Sequence, residues 1–196
     1  MQKDNRRTNK SKKELKNALI SLIEKKSFQK ITITDIVNCA DLNRGTFYKH
    51  YQTKEELLTE LIDDVMDDLV KSYKEPYLHT DKLKVSELTA SSIRIFEHVA
   101  SYSNFYLIIV NSNVLPGFQN KICDILKQLV QYNSEDITAV NEDINSDLFS
   151  SYSAYALFGL IMEWVRGGFK YTSEYMAEQL IKIVTFNLNH TTNTPE

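Results

Sequence analysis

The chain has 196 residues, of which 42% are hydrophobic and 25% charged, so it can bury a core and is too apolar to be intrinsically disordered. Its net charge of −3 is unevenly divided: residues 1–54 carry 13 Lys/Arg against 5 Asp/Glu (+8), and the rest carry 10 against 21 (−11). A basic head on an acidic body is typical of a nucleic-acid-binding module joined to a part that binds no nucleic acid. The alternative is an accidental asymmetry of surface charge.

Composition and spacing also restrict the class of protein. Only five Gly and three Pro occur, and helical periodicity nearly throughout predicts an all-α fold. No apolar run approaches the roughly 18 residues of a membrane span, and the basic N-terminus lacks the apolar stretch of a signal peptide, so we expect a cytoplasmic protein with no membrane partner. Cys39 and Cys123 have no C-x-x-C partner and are expected to be buried and reduced. The scattered histidines predict no metal site, and we expect no cofactor.

The N-terminal segment precedes the first predicted helix. Residues 1–10 are polar and are expected to be mobile, with solvated disorder as the simplest interpretation. Arg6, Arg7 and Lys10 are the residues of this arm that would follow DNA phosphates or reach into a minor groove. An apolar stripe then predicts a helix over residues 11–26.

A second helix is predicted from Thr32. Thr32 and Asp35 form a T-x-x-D capping box, in which each residue satisfies a free N–H group of the first turn. Apolar residues follow at helical spacing. They are Ile33, Ile36, Val37 and Ala40.

A third helix, over residues 43–51, follows a short polar break. Phe47 and Tyr51 lie one turn apart on it and are expected to face inward. Thr53 and Glu56 form a second capping box, which predicts the start of a fourth helix. Two short helices joined by a tight turn predict a helix-turn-helix with a third helix sharing its core.

The outer face of the 43–51 helix suits duplex DNA. Arg44 offers the bidentate fork that recognises guanine, and Gly45 would let the backbone approach the duplex closely. Lys54, in the first turn of the next helix, opposes the helix dipole, so an anionic phosphate is an attractive partner for it. The alternative is a solvated basic face, which many small helical cores have.

The segment L-N-R-G-T-F-Y-K-H-Y-x-x-K-E-E-L, from Leu42 to Leu57, closely resembles the recognition segment of the tetracycline-repressor (TetR) family of transcription regulators. Tyr51 stands where the family usually has Phe, and Asp41 where it usually has Gly. The resemblance implies that Arg44 and Lys49 read bases and that most other residues of the face contact phosphates. The DNA-binding residues implied are Thr32, Thr34, Asn43, Arg44, Gly45, Thr46, Tyr48, Lys49, His50 and Lys54.

We predict a DNA-binding domain over residues 1–55 and an effector-binding and dimerisation domain over residues 56–196. The latter begins in a fourth helix ending near Tyr73, and residues 74–84 are the clearest boundary candidate. Further helices are predicted over residues 85–101, 104–111, 118–129, 148–169 and 173–188, with a loop over residues 133–147 that has at most a helical start. The tail beyond His190 is expected to fray.

The last two helices carry too much evenly spread apolar surface for a monomer. In the TetR family such helices form a four-helix bundle across a two-fold axis, so the resemblance implies a homodimer through residues 148–169 and 173–188. The stretch G-L-I-M-E-W-V-R-G-G-F, residues 159–169, also resembles the C-terminal region of a TetR subgroup common in Gram-positive bacteria.

Aromatic residues are dense in the middle of the chain. Such a cluster is typical of a small-molecule pocket and equally of an ordinary helical core. The candidate effector-binding residues are Phe96, Tyr102, Tyr106, Phe118, Tyr155 and Trp164.

The expected function is that of a homodimeric, ligand-responsive transcription regulator, a repressor, bound to a pseudo-palindromic double-stranded operator. The alternative is a regulator or co-activator controlled by a partner protein, for which the acidic 133–147 segment would serve. An enzyme is the weakest class, since no catalytic motif occurs and only His98, Glu163 and Arg166 are candidates inside the body.

Overall fold

The computed structural model describes residues 2–75, 94–111, 118–138 and 144–190. Within these ranges all regular structure is helical, which confirms the predicted all-α class. The helices are α1 (Gln2–Ile23), α2 (Ile33–Cys39), α3 (Arg44–Tyr48), α4 (Lys54–Lys74), α5 (Ile95–Ser101), α6 (Ser103–Asn111), α7 (Phe118–Thr138), α8 (Ser146–Arg166) and α9 (Ser173–His190), with a short 3-10 helix at Phe28–Lys30. No helix of the described residues is long and apolar enough to cross a membrane.

The chain divides into two compact units. The first contains the residues up to Met66, and the second contains Asp67–Val110 and the chain from Pro116 onward. Helix α4 therefore begins in the first unit and ends in the second. The functional boundary expected at residue 55 stays a prediction.

The first unit closes around side chains from α1 to α4. Leu15 and Leu19 of α1, Ile36 of α2, Phe47 of α3 and Leu57 of α4 are fully buried, at 0% exposure. Each lies on the apolar stripe that its helix predicts from sequence. This core therefore fixes which sides of α2 and α3 remain for a partner.

Helix α1 differs at both ends from the expectation. It begins at Gln2, so the prediction of a mobile arm over residues 1–10 was wrong, and it ends at Ile23 rather than at Lys26. Residues 2–10 contain no Gly or Pro and include Gln, Lys and Arg, which are good helix formers. The arm therefore continues the helix instead of interrupting it.

The turn between α2 and α3 has the hydrogen bonds of a Schellman motif. The Leu42 N–H donates to the Val37 carbonyl at 2.8 Å, and the Asp41 N–H donates to the Asn38 carbonyl at 3.3 Å. Asp41 has φ 53°, in the left-handed region that favours glycine. The positive φ explains why the family that this sequence resembles usually has Gly at this position, and Asp is one of the few other residues that adopt it.

Replacement of Asp41 by Gly is expected to raise the free energy of unfolding by about 0.5–1 kcal/mol, because Gly adopts positive φ without the steric cost of a Cβ. Urea titration followed by circular dichroism measures the change. Asp41→Ala is the matched control and should destabilise the protein, since Ala lacks the short polar side chain that makes Asp tolerable there. A destabilised Gly variant would contradict the strain argument.

In the second unit, α7 packs against α8 and α5 packs against α9. Phe96 and Val99 of α5, Leu126 of α7, and Ala154 and Val165 of α8 have no exposed surface. Helix α8 ends in a second Schellman motif, in which Phe169 donates to the Trp164 carbonyl at 3.0 Å. Its left-handed residue is Gly168, with φ 67°.

Several predicted bounds in this unit were wrong. Helix α7 continues beyond its predicted end at residue 129 to Thr138, which gives the 133–147 segment the helical start that was expected. Helix α8 ends at Arg166 rather than at Phe169, because the Gly167-Gly168 pair stops it. Of the helix predicted over residues 85–101, the described part is α5, and residues 85–93 lie outside the described residues. Cys123 is buried as expected, but Cys39 is exposed because α2 turns Ile36 and Val37 inward.

Candidate nucleic-acid interface

The two helices of the helix-turn-helix begin with side-chain caps. The Asp35 N–H donates to the Thr32 hydroxyl at 3.1 Å, and the Thr32 N–H donates to the Asp35 carboxylate at 2.8 Å, which is the predicted capping box. The Lys26 ammonium at 2.9 Å and these bonds from Thr32 hold the pKa of Asp35 well below its usual range. Thr32 therefore acts first as a cap, and its hydroxyl is engaged within the protein.

Helix α3 begins at an asparagine cap. The amide oxygen of Asn43 accepts the backbone N–H of Thr46 at 2.8 Å and the Thr46 hydroxyl at 3.1 Å. A Cβ built on Gly45 would lie 3.2 Å from the same amide oxygen. Any side chain at position 45 would therefore press on the cap, which gives Gly45 a structural reason beside the predicted one of close approach to DNA.

Helix α3 has one buried and one exposed face. Phe47 is fully buried, and its ring lies 5.8 Å from that of Tyr51, as the sequence predicted. Arg44, Tyr48 and Lys49 are exposed on the other side, and Tyr48 is 54% exposed although it is a large aromatic residue. Thr34 of α2 is exposed as well. The cationic and hydroxyl-bearing side chains expected to meet DNA thus lie on the open side.

His50 differs from its exposed neighbours. It is half-buried, and its Nε2 lies 2.7 Å from the Ser11 hydroxyl of α1. Burial, followed by the positive charges of Lys12 and Lys49, lowers the pKa of His50. His50, in the turn that follows α3, therefore links that turn to α1.

A surface depression of about 460 Å³ lies beside this link. Residues of α1 and of the segment around α3 line it, among them the acidic Glu14. Three basic side chains, Arg7, Lys10 and Lys49, outnumber that carboxylate, so the lining favours anions. Because α1 is helical from Gln2, Arg7 and Lys10 have defined positions beside the exposed face of α3.

Lys54 has partners that the sequence did not predict. Its ammonium donates to the carbonyl oxygens of Phe28 at 2.8 Å, Gln29 at 3.2 Å and Ile31 at 2.8 Å. It also lies 4.6 Å from the centre of the Phe28 ring. In the structure Lys54 is thus bound to the 3-10 helix and the residue that follows it.

A salt-bridge network between α1 and α4 was also missed. Lys12 and Lys16 approach the Glu60 carboxylate at 2.9 and 2.8 Å, and Lys16 also pairs with Asp64. Both pairs of partners are four residues apart, so each pair lies on one helix face. This matched spacing of opposite charges is the sequence feature from which the network could have been predicted.

The candidate effector residues differ in their surroundings. Phe96 and Trp164 pack edge to face with ring centres 5.7 Å apart, and both are buried. Tyr102 and Tyr106 lie beside His98, whereas Tyr155 is 59% exposed. The side chain of Phe118 lies outside the described residues.

His98 is the centre of a buried polar group in the second unit. Its side chain has no exposed surface, and its two ring nitrogens lie 2.9 Å from the Asp68 carboxylate and 3.0 Å from the Tyr106 hydroxyl. A carboxylate only accepts hydrogen bonds, so Nδ1 donates to Asp68 and Nε2 accepts from Tyr106. This network joins α4 to α5 and α6. Glu163 and Arg166, the other two candidates for an enzyme site, are exposed.

The buried His98 should make stability depend on pH. Burial lowers its pKa in the folded protein, although Asp68 acts in the opposite direction. The unfolded chain therefore binds the proton first, and we expect the free energy of unfolding to fall as pH drops below about 6.5, by at most about 1.4 kcal/mol per pH unit for one proton. Urea unfolding between pH 7.5 and 5.5 measures this slope.

His98→Gln should flatten that slope, because it removes the titrating group. His50→Gln is the matched control, since the pKa of His50 is also lowered and its removal should take away a separate part of the slope. If His98→Gln and the parent lose stability equally over this pH range, His98 titrates normally in the folded protein.

Within the described residues no group of three or more His, Cys, Asp or Glu side chains is placed to hold a metal ion. The basic face of α3 and the depression beside it are the features of the first unit that can meet a charged partner. The charge and exposure of this face suit a polyanion.

Comparisons with known sequences match both parts of the chain. The profile described as bacterial regulatory proteins, tetR family, matches residues 15–61, and the profile described as a transcriptional regulator C-terminal region matches residues 86–186. The second match alone covers more than half of the chain.

Three individual proteins illustrate the similarity. The HTH-type transcriptional regulator YxbF of Bacillus subtilis (strain 168) is 21% identical over 174 residues, 88% of this chain; the chain spans only 44% of YxbF. The HTH-type transcriptional repressor KstR2 of Rhodococcus jostii (strain RHA1) is 23% identical over 188 residues, 87% of each protein. A crystal structure from Syntrophomonas wolfei assigned to the TetR family has a TM-score of 0.68 at 19% identity and covers 89% of this chain and 93% of that one, which shows the shared fold.

Proposed function

The chain belongs to the tetR family of bacterial regulatory proteins, and on that premise we propose that it is a cytoplasmic, ligand-responsive repressor that binds a pseudo-palindromic operator as a homodimer. The observation that carries the proposal is the outer face of α3, which is exposed, cationic and held by caps at the starts of α2 and α3. The repressor KstR2, similar over 87% of both chains, supports the sign of regulation.

The DNA-reading face is assigned to α3 and its neighbours. Arg44 and Lys49 read base edges from the major groove, and Thr34, Thr46 and Tyr48 contact phosphates. Thr32, Asn43 and Gly45 support them, because two of these residues form the caps and the third leaves the cap undisturbed. His50 takes part through its bond to Ser11, which holds α1 beside the reading helix.

Dimerisation through α8 and α9 is supported by apolar side chains on their surfaces. Leu148, Tyr152 and Tyr155 of α8 are 69%, 66% and 59% exposed and lie at spacings of four and three residues, so they share one face. Ile183 and Phe186 of α9 are 43% and 62% exposed. Exposure of these apolar stripes to water is unfavourable for a monomer, and a second copy of the same helices would bury them.

Gly159 continues the α8 stripe and supports the same surface. It lies four residues after Tyr155 and is exposed, and a Cβ built on it would meet nothing within 4 Å. Gly inside a helix costs about 1 kcal/mol relative to Ala, yet no contact among the described residues of the protomer requires it. Close approach of a partner helix explains the residue.

An effector in the second unit would act by binding one conformation of the protein better than another. The Asp68–His98–Tyr106 network supports this role, because it places α4, which begins in the DNA-binding unit, in direct contact with α5 and α6. A buried polar group inside an apolar core is also the kind of group that orients a ligand.

Control by a partner protein is the second candidate, and one observation favours it. Phe96 and Trp164, both expected at an effector site, are buried against each other, and Tyr155 faces solvent. If operator binding responds to no small molecule of a diverse panel and does respond to a protein that co-purifies with the chain, this candidate replaces the first.

Selection of bound duplexes from a random pool tests the proposed function. A dimer of this kind should enrich a sequence with two inverted half-sites about one helical turn, or 10–10.5 base pairs, apart. A scrambled duplex of equal composition is the control. Failure to enrich any sequence, or enrichment of a single asymmetric site by a monomer, would overturn the proposal.

A further inference from the structure

Lys54 occupies a place that is unfavourable for a cation on its own helix. It is the first residue of α4, where free N–H groups give the helix end a partial positive charge. Its ammonium is directed instead to the carbonyl oxygens of Phe28, Gln29 and Ile31. These belong to the 3-10 helix Phe28–Lys30 and its C-cap, an end that carries partial negative charge. The tertiary partner therefore explains why a lysine is placed here.

The three contacts use the whole donor capacity of the side chain. A lysine ammonium has three N–H bonds, and three oxygens lie 2.8, 3.2 and 2.8 Å from the Nζ atom. The Phe28 ring lies beneath the same charge at 4.6 Å. Lys54 could reach a phosphate only by giving up one or more of these bonds.

These bonds join the start of α4 to the start of the helix-turn-helix. Ile31 immediately precedes Thr32, the N-cap of α2, and α2 is joined to α3 through the turn at Asp41 and Leu42. The Ile31 carbonyl thus sits one residue from the cap that sets where α2 begins. A change in the position of the Lys54 ammonium would be passed to α2 and then to the reading face.

We propose that Lys54 is a positioning residue, which clamps the first turn of α4 to the segment leading into α2 and so fixes the orientation of the reading helix, instead of serving as a phosphate contact. This inference rests on the proposed function. In this role Lys54 contributes to the discrimination between DNA sequences and not to the electrostatic attraction of DNA phosphates.

Arginine distinguishes the two roles. Arg keeps the charge and binds phosphate at least as well as Lys, but its planar fork cannot direct three donors at three carbonyls grouped around one point. Lys54→Arg and Lys54→Met should therefore both lower the ratio of affinities for the selected duplex and a scrambled duplex, by about tenfold or more, as loss of a hydrogen bond to a charged group would do. Lys30→Arg and Lys30→Met, at an exposed lysine of the same segment, are the matched controls and should keep the parent ratio.

The affinities are to be measured by fluorescence anisotropy over a range of salt concentrations. The temperature should be far below the midpoint of thermal unfolding of each variant. If Lys54→Arg keeps the parent ratio while Lys54→Met lowers the salt slope by about 0.9 per lost contact, Lys54 binds phosphate and the positioning role is overturned. If both variants only unfold at a lower temperature and keep the parent ratio, the clamp is merely structural and the proposal also fails. A parent protein that shows no preference for any duplex would instead overturn the proposed function itself.

Discussion

Replacement of Arg44 by Ala is expected to weaken binding to the selected operator by about 1–3 kcal/mol per half-site and to relax the preference at one base position. Arg44 is the first residue of α3 and is exposed, so its guanidinium is free of the core and able to form two parallel bonds to a guanine edge. A symmetric dimer contains two copies, which doubles the loss for the complete operator. Anisotropy titrations against duplexes substituted at one position at a time measure the effect.

The matched control is Lys10→Ala. Lys10 is exposed on α1 and lines the basic depression, so its loss should weaken all duplexes alike and lower the salt slope by about 0.9 for each phosphate contact. The two variants thus differ in pattern even if their losses on the operator are equal. If Arg44→Ala weakens every duplex uniformly, Arg44 binds the backbone and another side chain must read that position.

The parts of this molecule that could be predicted from sequence are those fixed by near neighbours along the chain. Thr32 and Asp35 form their capping box because both partners lie within one helical turn. Phe47 and Tyr51 are buried because spacing places them on the core face of α3 and its following turn. A short polar break before the third helix was predicted, and Asp41 in that break has the positive φ of a turn residue.

The features that could not be predicted from sequence depend on partners far away along the chain, or on which helix face is buried by the rest of the protein. The partners of Lys54 lie 23 to 26 residues away and are backbone carbonyls, which leave no mark in the sequence. Periodicity groups Tyr155 with other apolar residues of α8 but does not say whether that stripe faces its own protomer or a partner. The early start of helix α1 was missed because residues 2–10 are polar throughout, and polarity alone does not distinguish an exposed helix from a disordered segment.

A charge placed on the apolar stripes of α8 and α9 is expected to dissociate the proposed dimer. Tyr152→Glu combined with Phe186→Glu adds four carboxylates to the proposed two-fold symmetric interface. In the single protomer the two positions are 66% and 62% exposed and tolerate a polar group. Light scattering should give twice 22.7 kDa for the parent and 22.7 kDa for the variant. Operator affinity should fall by about 10²–10⁴-fold, because the second head no longer binds as part of the same molecule.

Gln128→Glu is the control for this variant, since it adds the same charge at an exposed position of α7. Gly159→Ala distinguishes an effect on the protomer from an effect on the interface. Helix propensity alone would stabilise α8 by about 1 kcal/mol. A partner helix packed on this glycine would instead be pushed away by the new methyl group. A higher unfolding temperature together with a weaker dimer therefore indicates that the space beside Gly159 belongs to the partner. A dimer that survives both glutamates would place the interface on another surface, and the inverted half-sites would then need a different arrangement of heads.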